Sequence, residues 1–274
     1  MKIWRFAALL TLCLFAGHAA AEPVAPSPAD IARIEARGQQ IAGHERAVIR
    51  ATDLLMASKQ DVGSVDTYLA VPSDGGWTVY FGKLSNEGFA APFVYVCAAE
   101  SCQASPSGIP NTAPPEVASL AKAISLVRSV APPIPPGAPF SQFNVAVFRE
   151  PDNTITAYLT PGNEDPRAIL LGGDVKISIS ADGASVLSQT ELHNTTLRIP
   201  LSLPDGKQPA GAYHTHVVSE LPTETDVALM LLHPVLAPHF IAGPQWMTQV
   251  DSAGKITVMG PVNAAPPSRP EVSP

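Results

Sequence analysis

The sequence has few basic residues, and they form no cluster. Lys and Arg together number 17, against 24 Asp and Glu, which gives the 274-residue chain a net charge of −7. Nucleic-acid binding needs a positive patch or stripe, and an anionic membrane surface attracts basic segments. The composition therefore excludes a nucleic-acid partner and gives no reason to expect a membrane-surface partner.

Several catalytic motifs are also missing. The chain contains no G-x-S-x-G nucleophile turn, no G-x-G-x-x-G dinucleotide loop and no P-loop. Its aromatic residues, such as Trp77, Tyr213 and Trp246, are too scattered to predict a sugar-binding platform. The sequence therefore offers no support for serine-hydrolase, dinucleotide or nucleotide-triphosphate chemistry.

Long apolar runs are absent except at the N-terminus. Lys2 and Arg5 precede an apolar run over residues 6–17, and Ala19-Ala20-Ala21 follows it. This order of charge, short apolar stretch and small residues is typical of a signal peptide. Because spanning a bilayer takes roughly 20 apolar residues, we predict cleavage after Ala21 and a periplasmic or secreted protein without membrane insertion.

Cysteine is scarce, with three residues in the chain. Cys13 lies in the predicted signal peptide and would leave with it, so Cys97 and Cys102 remain. An even number of cysteines in an exported protein favours a disulfide. A two-cysteine metal clip is the alternative, but no further Cys or His lies near this pair.

Hydrophobic periodicity and turn residues predict an α+β fold with antiparallel β-hairpins and three main helices. Ser27 suits the N-cap of the first helix and Pro28 its first turn. The predicted helices cover residues 28–57, a segment that begins at Pro115, and residues 221–232. The predicted strands cover 67–71, 78–84, 93–97, 144–148, 154–159, 175–180, 185–188, 247–250 and 255–259, with polar turns inside the hairpins.

Proline marks a possible boundary in the middle of the chain. The stretch 131–139 is rich in proline, and we interpret it as a linker between an N-terminal α+β region, 22–130, and a β-rich domain, 140–260. A loop within one domain is the alternative. The Pro- and Ser-rich segment 261–274 is predicted to be a disordered tail.

One segment combines residues that bind metal ions. His214 and His216 are two residues apart, so on a strand their side chains point to the same face. Asp226 follows at the start of a predicted helix. Two histidines and one carboxylate form a common ligand set of catalytic zinc, which leaves the fourth position open for water and lowers the pKa of that water to about 7.

The H-x-H pair followed by a Ser/Thr-x-x-Asp helix start resembles the motif of the JAB/MPN (JAMM) metalloproteases. The resemblance implies a JAB/MPN-like C-terminal fold in which zinc is bound by His214, His216 and Asp226. It also implies hydrolysis of amide or isopeptide bonds. Thr223 takes the place of the family's serine, which helps to stabilise the oxyanion.

The family also uses an upstream glutamate as general base. The strand on which it belongs, residues 143–148, contains no Glu. Glu150 lies just past the end of that strand and is the candidate catalytic base, and Glu191 is the alternative.

Other interpretations of the same residues remain open. Asp226 fits the third position of a capping box with Thr223 as N-cap, and the two histidines fit the solvent side of a strand. His193, His233 and His239 stand apart, although His233 or His239 could supply a further ligand. The function is accordingly either a zinc-dependent amide hydrolase acting on an envelope peptide, or a non-catalytic envelope binding or assembly module that has a peptide or protein partner.

Overall fold

The computed structural model describes residues 25–105, 113–202 and 210–262. The predicted signal peptide, residues 1–21, lies outside these ranges, as do residues 263–274 of the predicted tail. Within the described ranges, none of the helices combines the length and the apolar character that a membrane span requires.

The described residues contain three α-helices and a short 3₁₀ helix, and the first α-helix agrees with its predicted bounds. Ser27 caps it, since its hydroxyl accepts a hydrogen bond from the Ala29 amide at 3.2 Å. The third helix begins three residues later than predicted, because Thr223 rather than an earlier residue supplies the N-cap. The helices are α1 (Pro28–Ala57), α2 (Pro115–Val130) and α3 (Glu224–Leu232), and the 3₁₀ helix covers Pro234–Leu236.

The strands form the predicted hairpins and several pairs that were not predicted. In chain order they are β1 (Thr67–Ser73), β2 (Gly76–Ser85), β3 (Gly88–Cys97), β4 (Cys102–Ala104), β5 (Phe143–Arg149), β6 (Ile155–Pro161), β7 (Ala168–Gly172), β8 (Val175–Ile179), β9 (Val186–Glu191), β10 (Thr196–Pro200), β11 (Ala212–Thr215), β12 (His239–Ala242), β13 (Trp246–Val250) and β14 (Ile256–Pro261). The combination of helices with largely antiparallel strands confirms the α+β class.

The described strands form four sheets, with orders β1-β2-β3-β4, β5-β6-β8-β9, β7-β10 and β11-β12-β13-β14. Strands β11 and β12 are parallel, and α3 lies between them in the chain. This β-α-β connection differs from the hairpins that the turn residues predict, because parallel neighbours need a crossover segment rather than a tight turn. It places the first residues of α3 beside the end of β11.

A buried apolar cluster joins both sides of the proline-rich stretch. It includes Leu69 and Phe89 from the N-terminal part together with Val145, Ile155 and Ile177 from the later part. Burial of such side chains is the main favourable contribution to folding. The division into two domains stays a prediction.

Helix α1 packs closely against α3. At Gly38 a Cβ atom would overlap the Val227 side chain and lie 3.0 Å from the Glu224 carbonyl oxygen. Glycine at this crossing therefore lets the two helix backbones approach each other. The contact fixes the first turn of α3, which carries Asp226.

The disulfide prediction is confirmed. Cys97 and Cys102 are bonded at an S–S distance of 2.05 Å, and they pair directly across β3 and β4. The bond closes the short connection between these two strands.

Candidate metal centre

Four side chains from separate parts of the fold converge on one point. His214 is in β11 and His216 follows its end, Asp226 is in the first turn of α3, and His193 lies between β9 and β10. One ligand atom from each residue lies within 4.8 Å of all the others. These side chains are at most 7 % exposed, so the cluster is buried.

Several distances between ligand atoms are close to those expected around a single ion. His193 Nε2 lies 2.9 Å from His216 Nε2 and 3.3 Å from Asp226 Oδ1. Asp226 Oδ1 lies 3.6 Å from His214 Nε2, and its Oδ2 lies 3.3 Å from His216 Nε2. A tetrahedral ion with bonds of about 2.0–2.1 Å would place neighbouring ligand atoms roughly 3.3–3.4 Å apart.

The other ring nitrogen of each histidine has its own partner. His193 Nδ1 donates to Asp174 Oδ1 at 2.5 Å, and His216 Nδ1 donates to the Leu221 carbonyl oxygen at 3.0 Å. His214 Nδ1 lies 2.6 Å from His239 Nε2. Partners of this kind orient metal-binding imidazoles and set their tautomer. A proton on Nδ1 leaves the Nε2 lone pair of each ring free for a metal ion.

Asp226 combines the capping role and the metal-facing role, which the sequence presents as alternatives. Its Oδ2 accepts hydrogen bonds from the Thr223 amide at 2.7 Å and the Thr223 hydroxyl at 2.8 Å, which completes a capping box. Its Oδ1 is buried without a hydrogen-bond partner, and so is His214 Nε2. Buried polar atoms without partners are costly, and a bound cation would satisfy both.

Asp174 links His193 to helix α3. One of its oxygens accepts from His193, and the other accepts from the Thr225 hydroxyl, next to Asp226 in the chain. Gly172 makes this approach possible, because its φ is +80° and a Cβ there would lie 3.0 Å from His193 Cβ. A residue with a side chain would strain the backbone and push the His193 loop away.

Burial and the two carboxylates shape the charges of the metal-free cluster. Burial alone would lower the pKa of His193, but the carboxylates of Asp174 and Asp226, at 2.5 and 3.3 Å from its ring nitrogens, raise that pKa to about 10. Burial lowers the pKa of His214 to about 3, against the attraction of Asp226. Burial opposes ionisation of Asp226, but the His193 and His216 imidazoles, each 3.3 Å from one of its oxygens, hold the pKa of its carboxyl well below 3.8. In the metal-free protein, a proton bound to His193 therefore supplies the positive charge that a metal cation would supply beside Asp226.

The structure brings the three predicted metal ligands together. The two predicted catalytic residues, Glu150 and Thr223, are not among the ligand residues of this cluster. Glu150 accepts two hydrogen bonds of 2.6 Å from Arg37, and Glu191 is exposed at the end of β9. Neither belongs to the four-residue cluster. The Thr223 hydroxyl donates to Asp226 as part of the helix cap. The catalytic roles of Glu150 and Thr223 stay predictions.

Sequence reasoning missed two contributors to this centre: His193 supplies a fourth ligand atom, and Asp174 orients His193. His239, which the sequence offers as a possible further ligand, lies against His214 Nδ1 instead. The segment Gly172-Gly173-Asp174 reads as a simple turn in the sequence, and the isolated His193 carries no spacing signal. The proline neighbour of His239 favours a loop, whereas the residue begins strand β12.

A cavity of about 720 Å³ reaches this cluster from one side. His193, Asp226, Asp174 and Thr225 contribute to its wall. Residues of α1, β7 and α3 also contribute to its lining. The centre is therefore buried from bulk solvent but borders a ligand-sized space.

Comparison with protein-family models, curated proteins and solved structures finds no match to this chain. Fold and site together define an α+β protein with a disulfide and a buried His₃Asp group that could bind a metal ion. The JAB/MPN resemblance stays a prediction that rests on the motif at 214–226.

Proposed function

We propose that this chain is an exported, non-catalytic binding module of the cell envelope, and that one zinc ion stabilises its fold. The observation that carries the proposal is the convergence of three imidazole Nε2 atoms and one carboxylate oxygen in a buried cluster. Imidazole and carboxylate are zinc ligands.

The number of ligands favours a structural ion over a catalytic one. Structural zinc sites have four protein ligands, whereas catalytic sites have three and keep a position open for substrate or water. His193 adds the fourth ligand to His214, His216 and Asp226. In addition, no glutamate belongs to the cluster in the part of the chain that the structure describes, and a hydrolase of this type needs a general base.

A zinc ion would join ligands from three separate elements of the fold. His214 belongs to the sheet β11–β14, Asp226 to helix α3, and His193 to the connection between sheets β5-β6-β8-β9 and β7-β10. Binding of an ion to the folded state alone stabilises that state, by about 4 kcal/mol at a free concentration 1,000 times the Kd. Such stabilisation would help an exported protein to stay folded outside the cytoplasm.

Elemental analysis of the mature protein tests the proposal. We expect about one zinc per chain after native purification, and loss of zinc in the His214→Ala/His216→Ala double variant. His233→Ala is the matched control, because His233 lies outside the cluster, and it should keep its zinc. Absence of any first-row metal, together with a melting temperature that zinc does not raise, would refute the metal centre.

A second candidate function is zinc-dependent amide hydrolysis of the JAB/MPN type, acting on an envelope peptide. The observation that favours it is the cavity that borders His193 and Asp226. In this case His193 would have to leave the ion to make room for a reacting water. Turnover of amide substrates that disappears in His216→Ala would establish the hydrolase and reject the non-catalytic role. A zinc-loaded protein without turnover would favour the structural ion.

A further inference from the structure

The three histidines of the metal centre differ in the partner of their second ring nitrogen. His193 Nδ1 faces a carboxylate oxygen of Asp174, and His216 Nδ1 faces the Leu221 carbonyl oxygen. The Ser219 hydroxyl lies 2.7 Å from His216 Nδ1, and it donates to the same carbonyl. A carboxylate and a carbonyl can only accept hydrogen bonds. They therefore hold a proton on Nδ1 of both rings, and His216 keeps its Nε2 lone pair for a metal ion.

His214 has a partner of a different kind. Its Nδ1 lies 2.6 Å from Nε2 of His239, a residue that is fully buried. Both rings are neutral at pH 7, because burial lowers the pKa of His214 to about 3 and lowers the pKa of His239 below 6.5. A neutral imidazole carries one proton, on either of its nitrogens. The hydrogen bond between these two rings can therefore run in either direction.

Each direction of this hydrogen bond fixes the other nitrogen of both rings. In the donor state, His214 donates from Nδ1, its Nε2 lone pair is free for a metal ion, and His239 carries its proton on Nδ1. In the acceptor state, His239 donates from Nε2, and the proton of His214 is on Nε2, where it blocks a bond to a metal ion. Since the partner of a ring nitrogen sets the tautomer, His239 decides whether His214 can serve as a ligand.

The surroundings of His214 favour the acceptor state in the metal-free protein. His239 Nδ1 is buried, and none of the described residues hydrogen-bonds to it in either state, so the choice is made at His214 Nε2. This nitrogen lies 3.6 Å from Asp226 Oδ1. A proton on Nε2 is attracted by the carboxylate, whereas a lone pair there is repelled by it. A metal ion between the two atoms reverses this preference.

We propose that His239 is a positioning residue that regulates the metal centre: it donates to His214 while the centre is empty and accepts from His214 when an ion binds. In this switch one proton crosses from His239 Nε2 to His214 Nδ1, one leaves His214 Nε2 for solvent, and one from solvent binds His239 Nδ1. The pair thus holds two protons before and after. The inference rests on the proposed zinc site and adds that His239 lowers its affinity, because the hydrogen bond of the acceptor state must be given up.

Nitrogen-15 NMR of the imidazoles tests the inference on the mature protein, since ring nitrogens with and without a proton differ in chemical shift. Without metal we expect the protons of His214 and His239 on Nε2. With one zinc per chain we expect both protons on Nδ1. His216 is the internal control, and its proton should stay on Nδ1 in both samples. Signals that are missing in His239→Met and in His214→Asn identify the two rings.

The affinity of His239→Met separates regulation from simple orientation of His214. A thioether sulfur accepts weakly and cannot donate, so this variant loses the acceptor state and keeps an acceptor for the metal-bound state. We expect zinc to bind it at least as tightly as the wild type in competition with a chelator. A partner that only orients its ligand would instead cost about 10–100-fold on removal. Circular dichroism establishes that the variant folds, and the tautomers of the wild type decide the matter if it does not.

The outcomes separate this inference from the zinc site itself. A His239 proton that stays on one nitrogen with and without zinc would overturn the switch and leave the zinc site standing. A His214 proton on Nδ1 in the metal-free protein would overturn it too, as would weaker zinc binding by folded His239→Met. Absence of zinc from the purified and zinc-treated protein is a different result. It would reject the proposed function, and the regulation of its site with it.

Discussion

Removal of His193 distinguishes a four-ligand centre from the three-ligand set that the motif alone implies. His193 Nε2 lies 2.9 Å from His216 Nε2 and 3.3 Å from Asp226 Oδ1, so His193→Ala would open one corner of the coordination shell. Loss of an outer-shell partner of a ligand costs about 10–100-fold in metal affinity. We expect loss of the ligand itself to cost at least about 100-fold, which corresponds to about 2.8 kcal/mol.

The same substitution should lower the zinc-dependent part of the thermal stability. For a chain of this size, 1 kcal/mol changes the melting temperature by about 2–4 °C. At zinc concentrations well above the wild-type Kd, His193→Ala should therefore lose about 6–11 °C of the stabilisation by zinc. The metal-free variant provides the reference, because the substitution also removes the imidazole that lies between Asp174 and Asp226.

Competition with a chromophoric chelator measures the affinity, and differential scanning calorimetry with and without zinc measures the stabilisation. His233→Ala is the control and should behave as the wild type in both assays. If His193→Ala binds one zinc with unchanged affinity, His193 is no ligand, and the three-ligand set of His214, His216 and Asp226 stands.

Proton release, ligand orientation, helix packing and the disulfide each have a measurable consequence. Zinc binding at pH 7 should release about one proton from His193, because the pKa of this residue in the metal-free protein is about 10. The apparent affinity for zinc should therefore rise about tenfold per pH unit up to about pH 10. Calorimetry in buffers of different ionisation enthalpy measures the number of protons released. Protonated His193 stabilises the metal-free fold, and this contribution is fully present below pH 6.5. It should disappear as the pH rises from 6.5 to about 10, which denaturation at a series of pH values measures. Asp174→Asn should reduce zinc affinity by about 10–100-fold, and an unchanged chelator titration would contradict its orienting role. Gly38→Ala should destabilise the protein by about 1–3 kcal/mol through overlap with Val227, and Val227→Ala in the same chain should restore part of the loss in a denaturant titration. Replacement of Cys97 by serine should cost about 2 kcal/mol because the loop that the disulfide closes is short; a melting temperature equal to that of the wild type would contradict this.

Local features of the fold were predictable because their causes lie close together in the chain. Helix α1 was predicted with both of its ends, since Ser27, Pro28 and the apolar periodicity act within a few residues. The hairpins β1–β2, β5–β6, β8–β9 and β13–β14 were predicted from turn residues between apolar runs. By contrast, the β7–β10 pair joins strands separated by two others in the chain, and no short-range pattern indicates such a partner.

The candidate site divides in the same way. The H-x-H spacing and the Thr223–Asp226 capping box are local, so the sequence alone identified three residues of the cluster and the start of the helix that carries one of them. The sequence also determined the net negative charge of the chain and predicted the disulfide between Cys97 and Cys102. Only the tertiary structure decided that His193 joins the cluster, that Asp174 orients it, and that a cavity lies beside it. These residues meet because packing of separate sheets and helices brings together distant parts of the chain, and the positions of individual residues along the sequence carry no signal of that packing.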